Sequence, residues 1–162
     1  MIEDAFKNSE YDDDMTIRNV KRELRGFKGL VIKRQQLRAY HLAGQAYDGM
    51  PHSTTNVNHE EEKEIARLRR QEKNEFDMAL ITNAIKLMGQ IDEHSEQLAT
   101  ILQLQFVEFN RVDACCYKFA QKYQLPDFPK STFYGYRKEA LLKFPAFYPR
   151  ELRVKREDDD QK

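Results

Sequence analysis

The sequence predicts an all-α protein, in which long helices, paired as a hairpin or extended, precede a C-terminal helix-turn-helix. Large apolar residues recur at steps of three and four from Thr16 onward, which is the spacing of one helix face, and no stretch shows strand-like alternation. Glycine and proline are scarce, at 6 and 5 of 162 residues, and charged residues make up 33%. This composition is typical of soluble proteins that consist mostly of helices.

Shifts in composition divide the expected fold into four segments. Residues 1–15 are acidic and weakly apolar, so we expect them to be disordered. Residues 16–90 contain two long helices, separated by a loop at 44–58 that is rich in turn-forming residues. The helix-turn-helix unit occupies residues 91–148, and residues 149–162 form a charged tail.

The two long helices show recognisable starts, stops and faces. Thr16 is the expected N-cap of the first, in which Gly26 and Gly29 each cost roughly 1 kcal/mol relative to Ala and mark a kink or a close packing point. The second covers about 59–88, and the apolar side of its second half predicts packing against another helix. Gly89 is a natural stop for it.

Three shorter helices complete the chain. Asp92 or Ser95 starts the first of them, and residues 111–123 and 131–144 each show one apolar face at helical spacing. Two short amphipathic helices in succession are the layout of a helix-turn-helix, whose second helix enters a DNA groove. Residues 91–148 are therefore predicted to bind DNA.

The connection between the last two helices departs from the common turn. Residues 124–130 exceed the usual three or four and contain no glycine. We expect Phe128 to fill the gap between the two helices and Ser131 to cap the second one.

The face of helix 131–144 opposite its apolar stripe opens with polar, aromatic and basic side chains. Lysine and arginine bind phosphates or guanine edges, and Thr or Tyr reach phosphates or thymine methyl groups. Gly135 weakens this helix, and both a close approach to a groove wall and a tolerated surface glycine explain it. The predicted DNA-binding residues are Lys130, Ser131, Thr132, Tyr134, Arg137, Lys138 and Lys143, with Lys130 and Lys143 on phosphates.

The net charge of zero conceals two basic blocks. Residues 15–47 carry eight basic side chains against Glu23 alone, and residues 130–156 carry eight against two acidic ones. A DNA footprint depends on the local charge and not on the total, so these blocks are compatible with DNA binding. Charge alone is equally compatible with solvated helix faces.

The run STFYGYRKEALLKFPAFY at 131–148 resembles the C-terminus of the ArpU family of phage transcriptional regulators. The DGMP loop at 48–51, followed by a Glu-rich helix start, is similar to that family's N-terminal half. The resemblance covers roughly residues 20–148 and departs from the family in the turn and at Gly135. It implies a fold like the promoter-binding region of sigma factors and a role in switching on late phage genes.

Catalytic and cofactor motifs are absent from the sequence. No phosphate-binding loop follows a strand, and the four histidines lack the spacing of a zinc site. Cys115 and Cys116 are helix neighbours that are poorly placed to bridge each other, so they are expected as reduced core residues, with a vicinal redox switch as the alternative. We expect no enzyme, no cofactor and no metal.

The first hypothesis is a sequence-specific transcriptional regulator of phage or prophage, which binds double-stranded DNA in the cytoplasm of the bacterial host. Its long helices would serve homo-oligomerisation or contact with RNA polymerase. The alternative is a helical phage adaptor or assembly protein, such as a small terminase subunit or a protein that binds a host factor. No apolar run approaches the ~18 residues of a membrane span, and the start of the chain shows no signal-peptide pattern, so we expect no membrane partner.

Overall fold

A computed structural model describes residues 10–46 and 57–157 of the chain. It is mostly helical, with five α-helices and one short two-stranded sheet, which confirms the all-α prediction. The elements are β1 Tyr11–Asp12, α1 Asp13–Ala46, α2 Val57–Gly89, α3 Glu93–Leu102 with a π-helical turn at Gln103–Val107, α4 Val112–Lys122, α5 Lys130–Lys143 with a 3-10 turn at Phe144–Ala146, and β2 Val154–Lys155.

The described residues fall into two compact units, and α1 and α2 contribute to both. Unit 1 holds residues 10–27 and 80–157, and unit 2 holds residues 28–46 and 57–79. The expected loop at 44–58 is helical up to Ala46 and again from Val57, while its central DGMP motif lies outside the described residues.

The expectation of disorder over residues 1–15 is wrong for residues 10–15. β1 pairs antiparallel with β2, so that Tyr11 lies opposite Lys155 and Asp12 opposite Val154. This pairing also corrects the prediction that the chain has no strands, because part of the charged tail is one of the two. Residues 1–9 lie outside the described part of the chain.

Helix α1 begins three residues before the predicted N-cap. The Asp12 carboxylate accepts a hydrogen bond from the backbone N–H of Met15 at 2.9 Å, which is the work of an N-cap side chain. Thr16 is buried instead, and its hydroxyl accepts a hydrogen bond from the backbone N–H of Val154 at 3.2 Å. Thr16 therefore binds the C-terminal tail by a hydrogen bond and does not cap the helix.

Residues 148–156, which we call the C-terminal strap, lie along one side of α1. The Tyr148 hydroxyl donates to the Glu23 carboxylate at 2.6 Å, and the Asn19 amide donates to the Leu152 carbonyl at 3.3 Å. The strap therefore packs against a side of α1 that carries polar residues and that sequence periodicity does not predict to be covered.

Neither glycine of α1 is a close packing point. A Cβ atom at Gly26 or at Gly29 would meet nothing within 4 Å apart from the neighbouring backbone of its own helix, and the helix continues through both positions. The close approach occurs at Gly89 instead, where an added Cβ would lie 3.1 Å from the Cβ of Ala99. A side chain at this position would press on Ala99 where α2 meets α3, and α2 includes Gly89 as its last residue.

Unit 2 pairs the second half of α1 with the first part of α2. The Asn74 amide, which is buried, donates to the Leu30 carbonyl at 3.0 Å, and Arg34 lies 3.8 Å from Glu75. Few side chains of this unit are buried, and many large apolar ones are exposed. The exposed ones are Ile32, Tyr40, Leu42, Ile65, Leu68 and Phe76.

Unit 1 contains the three short helices, with α5 packed mainly against α3. The Asp92 carboxylate accepts the Ser95 N–H at 2.7 Å, so Asp92 and not Ser95 caps α3. The helices meet around one aromatic and apolar cluster, which places the helix-turn-helix in a single core. Its buried members are Ile101, Leu104, Cys115, Phe119, Phe128 and Phe133.

The turn between α4 and α5 takes the glycine-type conformation without a glycine. Gln124 has a φ of 53°, and its N–H donates to the Gln121 carbonyl at 3.3 Å. The N–H of Leu125 donates to the Ala120 carbonyl at 2.8 Å. These two bonds form the Schellman motif that usually has Gly at the left-handed position.

Replacing Gln124 by Gly is expected to stabilise the protein by about 1 kcal/mol, because glycine adopts positive φ without the steric cost of a Cβ. The matched control is Gln121→Gly in the last turn of α4, which is expected to destabilise by about 1 kcal/mol. Chemical denaturation measures both. Destabilisation by Gln124→Gly would show that the left-handed glutamine is not strained.

Candidate nucleic-acid interface

Helix α5 starts one residue earlier than predicted, and Ser131 does not cap it. Pro129 is the N-cap residue, with an extended backbone, and its carbonyl accepts the Phe133 N–H at 3.0 Å. Proline has no side-chain acceptor, so no side chain caps this end. Ser131 lies in the first turn and is exposed.

Two faces of α5 are clearly separated. Phe133, Ala140 and Leu141 are buried in the core of unit 1. The opposite side, which we call the outer face of α5, is exposed and carries a hydroxyl, an aromatic ring, a glycine and positive charge. Its residues are Lys130, Ser131, Tyr134, Gly135 and Lys138, and Thr132 is half-buried at its edge.

Contacts on both sides hold α5 in place. Lys130 Nζ lies 2.7 Å from the Asp113 carboxylate of α4. His94 of α3 lies with Nε2 2.9 Å from the Glu139 carboxylate, and its ring is edge-on to Tyr136 at 5.5 Å between centroids. These contacts leave the outer face exposed while they tie α5 to both neighbouring helices.

Lys130 is an exposed member of an ion pair. The Asp113 carboxylate raises the pKa of Lys130 by a side-chain hydrogen bond. Because both side chains are well exposed, this pair is weak, and a phosphate can replace Asp113 at little cost.

Arg137 and Tyr134 are held side by side. The Arg137 guanidinium carbon lies 4.8 Å from the centroid of the Tyr134 ring and 5.9 Å from that of Phe133. Such cation–π contacts contribute roughly 0.5–1 kcal/mol at exposed sites. The contact pre-orients a flat cation and a ring next to the outer face, so less side-chain freedom is lost when a partner binds.

Lys143 does not belong to this surface, which corrects its predicted role on phosphates. Only 6% of the residue is exposed, and Nζ lies 3.5 Å from the Glu139 carboxylate one turn earlier. Glu139 and Lys143 lie on the side of α5 that faces His94 of α3. The aliphatic part of Lys143 is therefore buried, and its charge is neutralised inside the protein.

Gly135 has no packing reason within the described chain. A Cβ atom added there would meet nothing within 4 Å apart from the neighbouring backbone of α5 itself. Because glycine weakens a helix interior by about 1 kcal/mol relative to Ala, unit 1 carries a cost here that its own contacts do not require.

Sequence reasoning missed a cation of α1 that lies close to Arg137. Burial lowers the pKa of Lys21 in α1, and the positive charges of Arg137 and Arg25 lower it further. The basic block at 15–47 indicated that this helix is positive, but helical spacing alone does not reveal which of its side chains approach α5.

The two cysteines are separate thiols with different burial. Cys115 is fully buried in the aromatic cluster, and Cys116 is half-buried beside it. Burial raises the pKa of the Cys115 thiol to about 11 and also raises that of Cys116. The expectation that Cys115 is a core residue is confirmed, and a thiol of such high pKa is poorly suited to redox exchange.

No metal-binding cluster of three or more His, Cys, Asp or Glu side chains occurs within residues 10–46 and 57–157. None of the helices in these two ranges is long and apolar enough to span a bilayer.

Comparisons with family models, with curated proteins and with solved structures found no match for this chain. The resemblance to the ArpU family therefore stays a prediction from the residues that carry it.

Cys115 is expected to resist alkylation in the folded protein. A pKa of about 11 leaves about one thiol in a thousand as reactive thiolate at pH 8, against about a quarter for an ordinary thiol. Mass spectrometry of Cys116→Ser, which keeps only Cys115, should show slow alkylation by iodoacetamide in buffer and fast alkylation in guanidinium. The Cys115→Ser variant reports the half-buried Cys116 for comparison. Equal rates for native and unfolded Cys115 would contradict its burial.

Proposed function

We propose that this chain is a sequence-specific DNA-binding regulator of transcription, of phage or prophage origin, that acts in the cytoplasm of a bacterial host. The observation that carries the proposal is the outer face of α5. Lys138, Ser131 and Tyr134 are exposed on the first turns of a helix whose other side is anchored in a three-helix core. Those turns are where recognition helices contact bases.

The residues of the outer face, together with Thr132 at its edge and Arg137 next to it, divide by the part of DNA that each can bind. Arg137 and Lys138 can bind guanine edges or phosphates, and Thr132 and Tyr134 can contact thymine methyl groups or phosphates. Lys130 and Ser131, at the start of the helix, suit phosphates bordering the groove. The open space at Gly135 favours a close approach of another molecule's backbone to this side of α5.

Unit 2 supports a role in association. A two-helix unit that exposes Ile65, Leu68 and Phe76 buries little apolar surface of its own. We propose that this unit makes a homo-oligomer or contacts RNA polymerase. A dimer would place two copies of α5 on half-sites one helical turn apart.

The second candidate function is a helical adaptor or assembly protein of a phage, such as a small terminase subunit. The same exposed side chains of unit 2 favour it, because a scaffold needs association surfaces more than it needs a DNA reader. Light scattering separates the candidates by mass: a large ring favours the terminase-like assembly, and a dimer favours the regulator.

Duplexes selected from a random DNA pool test the proposed function by fluorescence anisotropy. The wild-type chain is expected to bind, and the logarithm of its association constant should fall linearly with the logarithm of salt concentration as phosphate contacts release counterions. Arg137→Ala and Lys138→Ala should each lose about 1–3 kcal/mol of binding free energy on the selected site.

The matched control is Lys86→Ala, which removes an exposed charge from α2. It is expected to bind like the wild type. Two results would sink the proposed function: no binding by the wild type at low salt, or equal binding by the Arg137, Lys138 and Lys86 variants.

A further inference from the structure

One edge of α1 in unit 1 carries positive charge only. Arg18, Lys21 and Arg25 follow each other at steps of three and four residues, so they share one side of the helix. Arg18 and Arg25 are exposed and Lys21 is half-buried. At 1.5 Å per residue the row is about 10 Å long.

The acidic residue that could neutralise this row is engaged elsewhere. Glu23 is the only carboxylate within residues 15–47, and it accepts a hydrogen bond from Tyr148 and lies 3.5 Å from Arg150 of the strap. Within the described parts of the chain, no carboxylate forms an ion pair with Arg18, Lys21 or Arg25. The strap thus pairs with Glu23 on one side of α1, and the side that carries Arg18, Lys21 and Arg25 remains basic.

The basic edge of α1 belongs to a helix that lies beside α5. Tyr148, whose hydroxyl donates to Glu23 of α1, stacks on Phe144 at the end of α5 with 5.2 Å between ring centroids. Burial lowers the pKa of Lys21, and the nearby positive charge of Arg137, which lies against the Tyr134 ring, lowers it further. Cations from two helices that are far apart in sequence therefore share one region. Like charges held together repel each other, and a polyanion relieves that repulsion.

We propose that Arg18, Lys21 and Arg25 form a phosphate-binding ledge, which holds the sugar-phosphate backbone of the duplex whose major groove α5 enters. The inference rests on the proposed function and adds a second helix to the DNA contact. The major groove is about 12 Å wide and is bordered by a strand on each side, so a helix beside α5 meets one of those strands. DNA fits this row better than an acidic protein does, because the row belongs to a helix beside α5, which is the helix proposed to enter the groove.

The ledge contributes affinity without sequence information, because phosphates are alike at every base pair. Its loss should weaken binding to selected and unrelated duplexes by the same factor. Loss of a base contact from α5, such as Lys138, should instead reduce the preference for the selected duplex.

The test is the salt dependence of DNA binding by Lys21→Gln/Arg25→Gln. The matched control is Lys86→Gln/Lys155→Gln, which removes two exposed charges from other parts of unit 1. Fluorescence anisotropy is measured between about 50 and 200 mM salt. The slope of the logarithm of the association constant against the logarithm of salt concentration should be smaller in magnitude by about 2 in the ledge variant. The control should keep the wild-type slope.

A second measurement reads the ledge directly in the wild-type protein. Acylation of Lys21 by an amine-reactive ester, followed by mass spectrometry, should slow severalfold when saturating duplex is added, while acylation of Lys86 should not change. Unchanged labelling of Lys21 would overturn the ledge, and so would a ledge variant whose salt slope equals that of its control.

The failure of the ledge is distinguishable from the failure of the proposed function. A wild-type chain that binds no duplex overturns both. Binding that depends on Lys138 but keeps its full salt slope in the ledge variant overturns the ledge alone.

Discussion

The stacked contact between Phe119 and Phe128 fixes where α5 begins relative to α4. The ring centroids lie 4.1 Å apart at an interplanar angle of 29°, and Tyr136 of α5 meets the Phe128 ring edge-on at 5.5 Å. The long turn is therefore anchored in the core by its own side chain, while Gln124 supplies the left-handed residue that reverses the chain. Every feature of the outer face depends on this anchor, because it sets which side of α5 is solvated.

Burial also sorts the charges of unit 1. Lys143 and Glu139 pair on the side of α5 that meets α3, and Glu23 pairs with the strap on one side of α1. Acidic groups are thereby used inside the unit, and cations such as Lys138 and Arg25 stay on the surface. In this way a chain with equal numbers of basic and acidic residues can expose a positively charged region.

Local patterns predicted the helices, a start of α3 at Asp92 or Ser95, and the position of Phe128 between α4 and α5, because each depends on nearby residues. They failed where distant segments meet. Thr16 is bonded to the strap instead of capping α1, since Asp12 already accepts the first orphan N–H group. Lys143 looked like an exposed cation because spacing does not show that α3 covers that side of α5. The nearness of Lys21 to Arg137 depends on the packing of distant segments, which no local pattern encodes.

The Gly135→Ala variant tests most directly whether DNA approaches the outer face of α5. An added methyl group meets open space in the described chain and favours the helix, so the free energy of unfolding should rise by about 1 kcal/mol. The same methyl group would stand between α5 and the groove, so affinity for a selected duplex should fall severalfold. Gly26→Ala, on the strap side of α1, is the control that should gain stability and keep affinity. A Gly135→Ala variant that is more stable and binds DNA like the wild type would contradict the account.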